Sequence, residues 1–285
     1  MTIQTIAVCG AGTMGSGIAQ VAATAGFTTI LYELNETVLE KAKSSIAANL
    51  QTAVEKGKLS AADKEATLGR ITFTSQLQDC IADIVIEAIV EKVEVKVNLF
   101  NQLAAINAPH TIIASNTSSL SITAIAKGVK GPERIAGLHF FNPAFLMKLV
   151  EVVKGEQTDD AVITTLVDFT KRLGKTPVVC KDAPGFIVNR VARPYYIEAL
   201  RLAEEGQVDL ATIDQLLESK GFKMGPFKLM DLIGNDINYA VSCSVYDQLN
   251  QPERLKPSYI QKEKVEKGEL GKKTGKGYYK YTPNP

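Results

Sequence analysis

The sequence contains no tryptophan, only two histidines and only four cysteines among its 285 residues. With His110 and His139 as its only histidines, the chain lacks the residues for a histidine metal cluster, and we predict that it binds no metal. The cysteines form no C-x-x-C pair and are scattered along the chain, at Cys9, Cys80, Cys180 and Cys243. This spacing is typical of buried thiols in a cytosolic protein and not of a disulfide or zinc framework.

Neither sign of charge is in large excess, and no apolar run approaches the length needed to span a membrane. The 32 basic and 31 acidic residues give a net charge of +1, so we expect neither a nucleic acid nor a membrane as partner. The first predicted strand begins at Ile3, which leaves no room for a signal peptide. We therefore expect a cytoplasmic location.

A glycine-rich turn joins an apolar strand to a helix near the start of the chain. The predicted strand, residues 3–9, is followed by Gly10, Gly12 and Gly15, and a helix of small residues is predicted over residues 18–25. This G-x-G-x-x-G spacing is typical of a dinucleotide site, where the glycines permit a tight turn, the approach of a pyrophosphate and close packing of helix on strand. The alternative is a turn that only changes the direction of the chain.

An acidic residue follows the next predicted strand, residues 28–32, at the position that this motif requires. Glu33 lies 18 residues after Gly15, where a carboxylate accepts hydrogen bonds from the adenosine ribose hydroxyls. Residues 34–40 contain no Arg or Lys that would bind a 2′-phosphate. The sequence therefore favours NAD over NADP.

Strands and helices alternate over the first 180 residues. Further strands are predicted at residues 71–74, 84–88, 111–115, 135–139, 147–153 and 176–180. Further helices are predicted at residues 36–56, 60–68, 93–106 and 160–173. This alternation predicts an α/β fold with a Rossmann-type doubly wound, mostly parallel sheet in a domain of residues 1–183.

The pattern becomes helical after the segment Asp182-Ala-Pro-Gly185. Helices are predicted at residues 186–203, 210–219 and 226–249, so a smaller all-helical domain of residues 184–285 should follow the sheet domain. A domain of this size has limited capacity to bury its own apolar faces. We therefore expect it to pack against a second subunit and predict a homodimer.

His139 ends a predicted strand, where ligands gather on an open parallel sheet. Histidine suits proton exchange near neutral pH. Glu151 lies inside the next predicted strand, where a carboxylate among valines is costly to bury without a partner. A His139–Glu151 pair would remove this cost; the alternative is a core histidine beside an exposed glutamate at a strand edge.

The cluster of residues 115–119 and the second histidine can also be interpreted without a catalytic role. The cluster Ser115-Asn-Thr-Ser-Ser119 follows a predicted strand, where it would orient a substrate oxygen or, as the chemistry alone favours, cap the next helix. His110 lies in a loop at the opposite end of the sheet, and we predict a surface residue.

Over essentially its whole length the chain resembles the 3-hydroxyacyl-CoA dehydrogenase family. The segments that carry the resemblance lie in the predicted order along both domains. They are Gly10-Ala-Gly-Thr-Met-Gly15, Glu87-Ala-Ile-Val-Glu91, Ser115-Asn-Thr-Ser-Ser119, His139-Phe-Phe-Asn-Pro143, Met147-Lys-Leu-Val-Glu151, Pro184-Gly-Phe-Ile-Val-Asn189-Arg, Met224-Gly-Pro-Phe and Lys272-Lys-Thr-Gly.

The resemblance implies roles for individual residues. His139 would be the acid–base group with Glu151 as its partner, Ser118 would bind the 3-oxygen of the substrate, and Asn189 would support the active-site geometry. Lys56 matches a position that contacts CoA, and Asn49 stands where some relatives have a CoA-contacting serine. The residues implied to bind NAD are Gly10, Gly12, Thr13, Met14, Gly15, Glu33, Glu91, Lys96, Asn116, Ser118, Asn142 and Lys273.

The implied activity is the NAD-dependent interconversion of 3-hydroxyacyl-CoA and 3-oxoacyl-CoA in fatty-acid metabolism. The chain length resembles the bacterial 3-hydroxybutyryl-CoA dehydrogenase type, which favours a short acyl chain. Three alternatives stay open: a dehydrogenase of a dicarboxylyl-CoA such as 3-hydroxyadipyl-CoA, a dehydrogenase of a free hydroxy acid, and a non-catalytic NAD-binding sensor.

Overall fold

The computed structural model describes residues 3–281, which divide by their contacts into two compact units, one ending at Ala183 and the other beginning at Pro184. The first unit contains an eight-stranded sheet with the order β3-β2-β1-β4-β5-β6-β7-β8. The strands are β1 (Thr5–Cys9), β2 (Thr28–Tyr32), β3 (Ile71–Thr74), β4 (Ile84–Glu87), β5 (Ile112–Ser115), β6 (Ile135–Phe140), β7 (Leu149–Lys154) and β8 (Thr176–Lys181). The predicted doubly wound sheet is confirmed.

Helices form most of the connections between the parallel strands. In the first unit they are α1 (Thr13–Thr24), α2 (Glu36–Glu55), α3 (Ala61–Gly69), α4 (Val93–Ile106), α5 (Ile122–Ala126) and α6 (Asp160–Arg172). The helix predicted over residues 18–25 therefore begins five residues earlier, directly after Gly12. Side chains cap three of these helices, because Asn35, Ser60 and Ser121 accept hydrogen bonds from backbone N–H groups in the first turns of α2, α3 and α5.

Strands β1 to β6 are parallel, and β7 pairs with β6 in the antiparallel direction. The connection between β6 and β7, residues 141–148, contains no helix, and a connection this short suits antiparallel strands. The resulting register places His139 directly opposite Glu151.

One layer of the core of the first unit lies between the sheet and the helices α1, α2 and α6. Ile18, Leu50 and Leu166 project from these three helices into one buried apolar cluster with the sheet. Phe27 and Phe169 pack edge to face, with their ring centroids 5.2 Å apart. Every residue of β6 is buried, so the strand that carries His139 is held in place over its whole length.

The second unit is helical. Its helices are α7 (Val188–Glu204), α8 (Leu210–Ser219), α9 (Pro226–Ile233), α10 (Asn235–Gln248) and α11 (Tyr259–Glu266). The prediction of one helix over residues 226–249 is wrong, because Gly234 has a φ of 105° and separates α9 from α10. Helix α11, which was not predicted, is capped by Ser258.

Three short 3-10 segments lie between these elements, Leu77–Asp79, Pro132–Arg134 and Glu253–Leu255, and another, Lys272–Thr274, follows α11. Over residues 3–281, no helix combines the length and the apolar character needed to cross a membrane.

Candidate functional site

The three motif glycines meet different surroundings at the junction of β1 and α1. Gly10 has a φ of 101°, which favours glycine. A Cβ on Gly15 would lie 1.7 Å from the carbonyl oxygen of Gly10, so α1 packs directly against the turn. A Cβ on Gly12 would meet no atom within 4 Å. The packing of the chain therefore explains Gly10 and Gly15, whereas Gly12 leaves open space where a pyrophosphate fits.

The N-terminus of α1 adjoins this space. Gly12 is the N-cap and provides no side-chain acceptor, so the first-turn N–H groups, including those of Thr13 and Met14, suit an anion. The residues here fit a dinucleotide.

Glu33 connects the end of β2 to the glycine turn. Its Oε2 accepts a hydrogen bond from the N–H of Ala11 at 3.0 Å, and its Oε1 accepts one from the N–H of Asn35 at 3.1 Å. These bonds fix a carboxylate beside the turn. Its predicted role as a ribose ligand stays a prediction.

A buried carboxylate that the sequence did not single out lies at the end of β4. Glu87 is 0% exposed, and its Oε1 accepts hydrogen bonds from Lys96 Nζ at 2.5 Å and the N–H of Ile89 at 2.7 Å. Its Oε2 accepts one from Ser115 Oγ at 2.6 Å. Glu87 belongs to the motif Glu87-Ala-Ile-Val-Glu91. Its ion pair with Lys96, nine residues further along the chain, cannot be recognised from the spacing of the two residues.

Lys96 joins Glu87 to Glu91. Its Nζ lies 3.1 Å from Glu91 Oε2, and Glu91 Oε1 accepts hydrogen bonds from Thr117 Oγ1 at 2.5 Å and the N–H of Ser118 at 3.2 Å. The three predicted cofactor residues Glu91, Lys96 and Ser118 are thus brought together at the carboxyl ends of β4 and β5.

Asn116 joins β5 to β6. Its Oδ1 accepts a hydrogen bond from the N–H of Phe140 at 2.8 Å, so this predicted cofactor residue lies next to the strand end that carries His139. Asn142 is exposed in the connection after β6.

His139 and Glu151 form the pair that the sequence left open. His139 Nδ1 lies 2.7 Å from Glu151 Oε2, and Glu151 is 0% exposed. The alternative of an exposed glutamate at a strand edge is therefore wrong. Phe141 packs against the imidazole, with the ring centroids 4.5 Å apart. The acid–base role of the pair stays a prediction.

The segment Ser115-Asn-Thr-Ser-Ser119 does not cap the next helix, because the cap of α5 is Ser121. Thr117 Oγ1 instead accepts a hydrogen bond from the N–H of Leu120 at 2.9 Å, so the segment forms a polar turn. His110 is exposed, as its loop position predicts.

The predicted CoA residues Asn49 and Lys56 line one cavity of about 580 Å³ in the first unit. Its lining includes the cations Lys56, Lys58, Lys148, Arg172 and Lys175, and no acidic residue among the described ones. Lys175 Nζ donates to the carbonyl oxygens of Ala144 and Met147 at 2.5 and 2.8 Å. Burial, together with the charge of Lys148, lowers the pKa of Lys175. The sequence did not indicate the cations other than Lys56.

Two predicted site residues belong to the helical unit. Asn189 lies in the first turn of α7, and its carbonyl oxygen accepts a hydrogen bond from Arg193 Nε at 3.0 Å. Burial lowers the pKa of Arg193 to about 10. Lys273 Nζ donates to both carboxylate oxygens of Asp236, at 2.6 and 2.7 Å. The cofactor and substrate roles of Asn189 and Lys273 stay predictions.

The cysteines are free thiols, but only two of the four are buried as predicted. Cys9 and Cys80 are buried, whereas Cys180 and Cys243 are half-buried. A hydrogen bond with Cys80 and burial raise the pKa of Cys9, and burial raises the pKa of Cys180 to about 12. Within residues 3–281, no three His, Cys, Asp or Glu side chains are grouped to hold a metal ion.

Comparison with known proteins gives relatives for the whole described chain. The chain is 50% identical over 281 residues to the 3-hydroxyadipyl-CoA dehydrogenase of Escherichia coli K12. The aligned region covers 98% of this chain but only 59% of that protein. It is 42% identical to the probable 3-hydroxybutyryl-CoA dehydrogenase of Deinococcus radiodurans, covering 96% of this chain and 99% of that protein.

A solved structure shows the same architecture. The crystal structure of (S)-3-hydroxybutyryl-CoA dehydrogenase from Ralstonia eutropha matches with a TM-score of 0.94 and 37% identity, over 99% of this chain and 100% of that one. The NAD-binding domain of 3-hydroxyacyl-CoA dehydrogenase matches residues 5–183, and the C-terminal domain of the same family matches residues 185–281. The chain therefore belongs to the 3-hydroxyacyl-CoA dehydrogenase family, and its cofactor is NAD.

Proposed function

We propose that the protein is an NAD-dependent L-3-hydroxyacyl-CoA dehydrogenase that acts on short acyl chains such as 3-hydroxybutyryl-CoA. The observation that carries the proposal is the buried 2.7 Å contact between His139 and Glu151 at the carboxyl end of β6. A sensor that only binds NAD needs no such pair beside its cofactor site.

The pair supplies the proton chemistry of an alcohol dehydrogenation. With Nδ1 bonded to Glu151, Nε2 is the ring nitrogen that exchanges a proton with the substrate. In oxidation His139 removes the hydroxyl proton, and Glu151 stabilises the imidazolium that forms. In reduction the imidazolium returns the proton to the forming alkoxide.

The polar turn after β5 is proposed to orient the substrate. Ser118 is proposed to bind the 3-oxygen, and the bond from its N–H to Glu91 holds the backbone of the turn at that position. A role for Asn189, in the first turn of α7, in supporting the active-site geometry is also proposed. Bound NAD supplies the hydride acceptor, and the glycine turn, Glu33 and Glu91 are the residues that would hold it.

The cavity lined by Asn49 and Lys56 is proposed to accept the phosphate-bearing end of CoA. Three exposed lysines, Lys56, Lys58 and Lys148, line it without an ion pair among the described residues. Phosphate groups bind well to such a cluster, because a charge-assisted hydrogen bond is stronger than a neutral one.

The direct test follows NADH formation with (S)-3-hydroxybutyryl-CoA, (S)-3-hydroxyadipyl-CoA and free 3-hydroxybutyrate. We expect turnover with 3-hydroxybutyryl-CoA and none with the free acid. A strong preference for the adipyl thioester would assign the dicarboxylyl substrate instead, and turnover of the free acid alone would contradict the role of CoA.

His139→Gln is the matched variant for this assay. We expect about a hundred-fold or larger loss of turnover, because general acid–base catalysis typically contributes at least that much. The dissociation constant of NAD, measured by calorimetry, should stay within about twofold. Near-normal turnover would show that His139 is not the acid–base group.

A cytoplasmic homodimer is proposed as the working form. The helical unit exposes large apolar side chains, among them Val191 at 72%, Leu216 at 59% and Ile237 at 50%, and a second copy would cover such a surface. Sedimentation equilibrium should give twice the chain mass, and a monomer at micromolar concentration would contradict the proposal.

A further inference from the structure

Lys96 is buried between two carboxylates, and we refer to Glu87, Lys96 and Glu91 as the carboxylate network. Lys96 is 1% exposed and Glu87 is 0% exposed, whereas the side chain of Glu91 is 39% exposed. Each carboxylate also accepts hydrogen bonds from neutral donors, such as Ser115 Oγ on Glu87 and Thr117 Oγ1 on Glu91. Each carboxylate is thus in contact with the ammonium group of Lys96 and with at least one hydroxyl donor.

The carboxylate network has an excess negative charge. Two carboxylates face one ammonium group, so its net charge is −1. The adjacent charged residues Lys92 and Glu94 are exposed at the start of α4, where water screens their charges. A buried charge acts more strongly on a neighbouring ligand than an exposed one, because the protein interior has a lower effective dielectric constant than water.

The strand order determines which half of NAD this charge faces. In the order β3-β2-β1-β4-β5, the chain direction across the sheet reverses between β1 and β4, and a dinucleotide binds across this point. Glu33 lies at the end of β2, on one side of the glycine turn. Glu87 pairs with Cys9 on the other side, and a Cβ on Gly10 would lie 2.6 Å from the carbonyl oxygen of Ala88.

The adenosine half of NAD therefore belongs on the side of Glu33, and the nicotinamide half on the side of the carboxylate network. The two halves of the cofactor differ in how they respond to the reaction. The oxidised nicotinamide ring carries one positive charge, and that charge disappears when the ring accepts a hydride. The adenosine half does not change its charge.

We propose that the excess negative charge of the carboxylate network strengthens the binding of NAD⁺, whose nicotinamide ring is cationic, relative to the binding of NADH. Glu87 sets this preference from within the core, without touching the substrate. The inference rests on the NAD site of the proposed function and not on the identity of the acyl substrate.

The test is Glu87→Gln with three ligands, NAD⁺, NADH and ADP-ribose, each titrated by calorimetry. A glutamine retains the shape of the side chain, can accept from Lys96 and can donate to Ser115, but lacks the negative charge. We expect the dissociation constant of NAD⁺ to rise by about three- to tenfold, as for one charge removed near another in a partly polar site. The dissociation constants of NADH and of ADP-ribose, which has no nicotinamide, should change by less than about twofold.

Glu94→Gln is the matched control, because it removes the same charge from the exposed surface of α4. It should leave all three dissociation constants unchanged within about twofold. Glu91→Gln removes the same unit of charge from the exposed side of the carboxylate network. If Glu87→Gln does not fold, Glu91→Gln is the variant that tests the proposal. It should again weaken NAD⁺ more than NADH.

Equal weakening of all three ligands would overturn the inference, since it would show that Glu87 only supports the fold of the site. An unchanged ratio of the NAD⁺ and NADH constants in both variants would overturn it as well. Failure of the proposed dehydrogenase activity has a different signature, because cofactor titrations would then succeed on a protein that does not oxidise acyl-CoA substrates.

Discussion

Glu151 is buried opposite His139 because β6 and β7 pair in antiparallel register, which directs both side chains to the same face of the sheet. A carboxylate removed from water costs several kcal/mol unless it is paired and hydrogen-bonded. The 2.7 Å contact with Nδ1 provides that partner. The same contact also fixes which ring nitrogen exchanges protons with the substrate.

Glu151→Gln tests this coupling. The amide can still form a hydrogen bond but cannot stabilise an imidazolium, so we expect turnover to fall by about a hundred-fold. The acid limb of the pH profile for oxidation should also move to lower pH, because an imidazolium without its carboxylate loses its proton more readily. The measurement is kcat for 3-hydroxybutyryl-CoA oxidation between pH 5 and 9.

Glu156→Gln removes an exposed charge two residues after the end of β7; it is the control for that profile and should leave it unchanged. If Glu151→Gln also kept the wild-type profile, Glu151 would not be coupled to the titration of His139.

Glu33 supports a prediction about cofactor choice. Its carboxylate is fixed beside the glycine turn by the N–H groups of Ala11 and Asn35, and residues 34–40 offer no cation. A 2′-phosphate would meet a negative charge without compensation. We expect kcat/KM for NAD to exceed that for NADP by at least about a hundred-fold, and a preference for NADP would contradict the assignment.

The sequence predicted some of these residues because a motif fixes their local geometry. Gly10, Gly15 and Glu33 lie within one strand–turn–helix–strand unit, so their spacing determines where they meet. Glu87 and Lys96 meet only through packing at the end of β4, which no sequence spacing encodes. Their ion pair was therefore accessible only from the structure.

At the scale of secondary-structure elements, Asp214 connects three parts of the helical unit. It projects from α8 and accepts hydrogen bonds from the N–H groups of Phe227 and Lys228, at 2.9 and 3.1 Å, in the first turn of α9. It also accepts one from Tyr279 Oη at 2.7 Å. Burial and this bond raise the pKa of Tyr279. Asp214 thus caps a helix other than its own and holds the last described segment of the chain.

Asp214→Ala should destabilise the helical unit by about 3 kcal/mol, because it leaves two backbone donors and one hydroxyl without their acceptor. The measurement is urea denaturation, combined with amide exchange to locate the loss of protection in residues 210–281.

Asp247→Ala removes an exposed carboxylate from α10 and should change the free energy of unfolding by less than about 0.5 kcal/mol. If Asp214→Ala were equally mild, Asp214 would not be the cap that joins α8 to α9.

Two errors in the predicted helices have identifiable signals. The prediction of a single helix over residues 226–249 did not take account of Gly234, whose positive φ ends α9. Helix α11 begins with Ser258 and Gln261 in capping-box spacing, and the N–H of Gln261 donates to Ser258 Oγ at 3.4 Å. Both signals were present in the sequence. The antiparallel β7 also follows from the short connection after β6.

The cavity of about 580 Å³ is formed by segments of the first unit that are far apart in the sequence. The C-terminal end of α2, the connection between β6 and β7 and the end of α6 all contribute cations to its lining. No local pattern predicts such a cavity, because each lysine alone is typical of a solvated surface. The resemblance to the family indicated only Asn49 and Lys56.

Lys56→Ala should raise KM for acyl-CoA substrates and leave KM for NAD unchanged, since Lys56 is an exposed cation at the end of α2 in the lining of this cavity. Added salt should reduce the difference between wild type and variant, because it screens the attraction to phosphate. The same acyl group on a short thioester without a nucleotide should be oxidised equally by both proteins.

Lys41→Ala, an exposed substitution on α2 outside the cavity lining, is the control variant and should leave every constant unchanged. If Lys56→Ala impaired both thioesters alike, Lys56 would act through stability and the contact with CoA would lie at other residues.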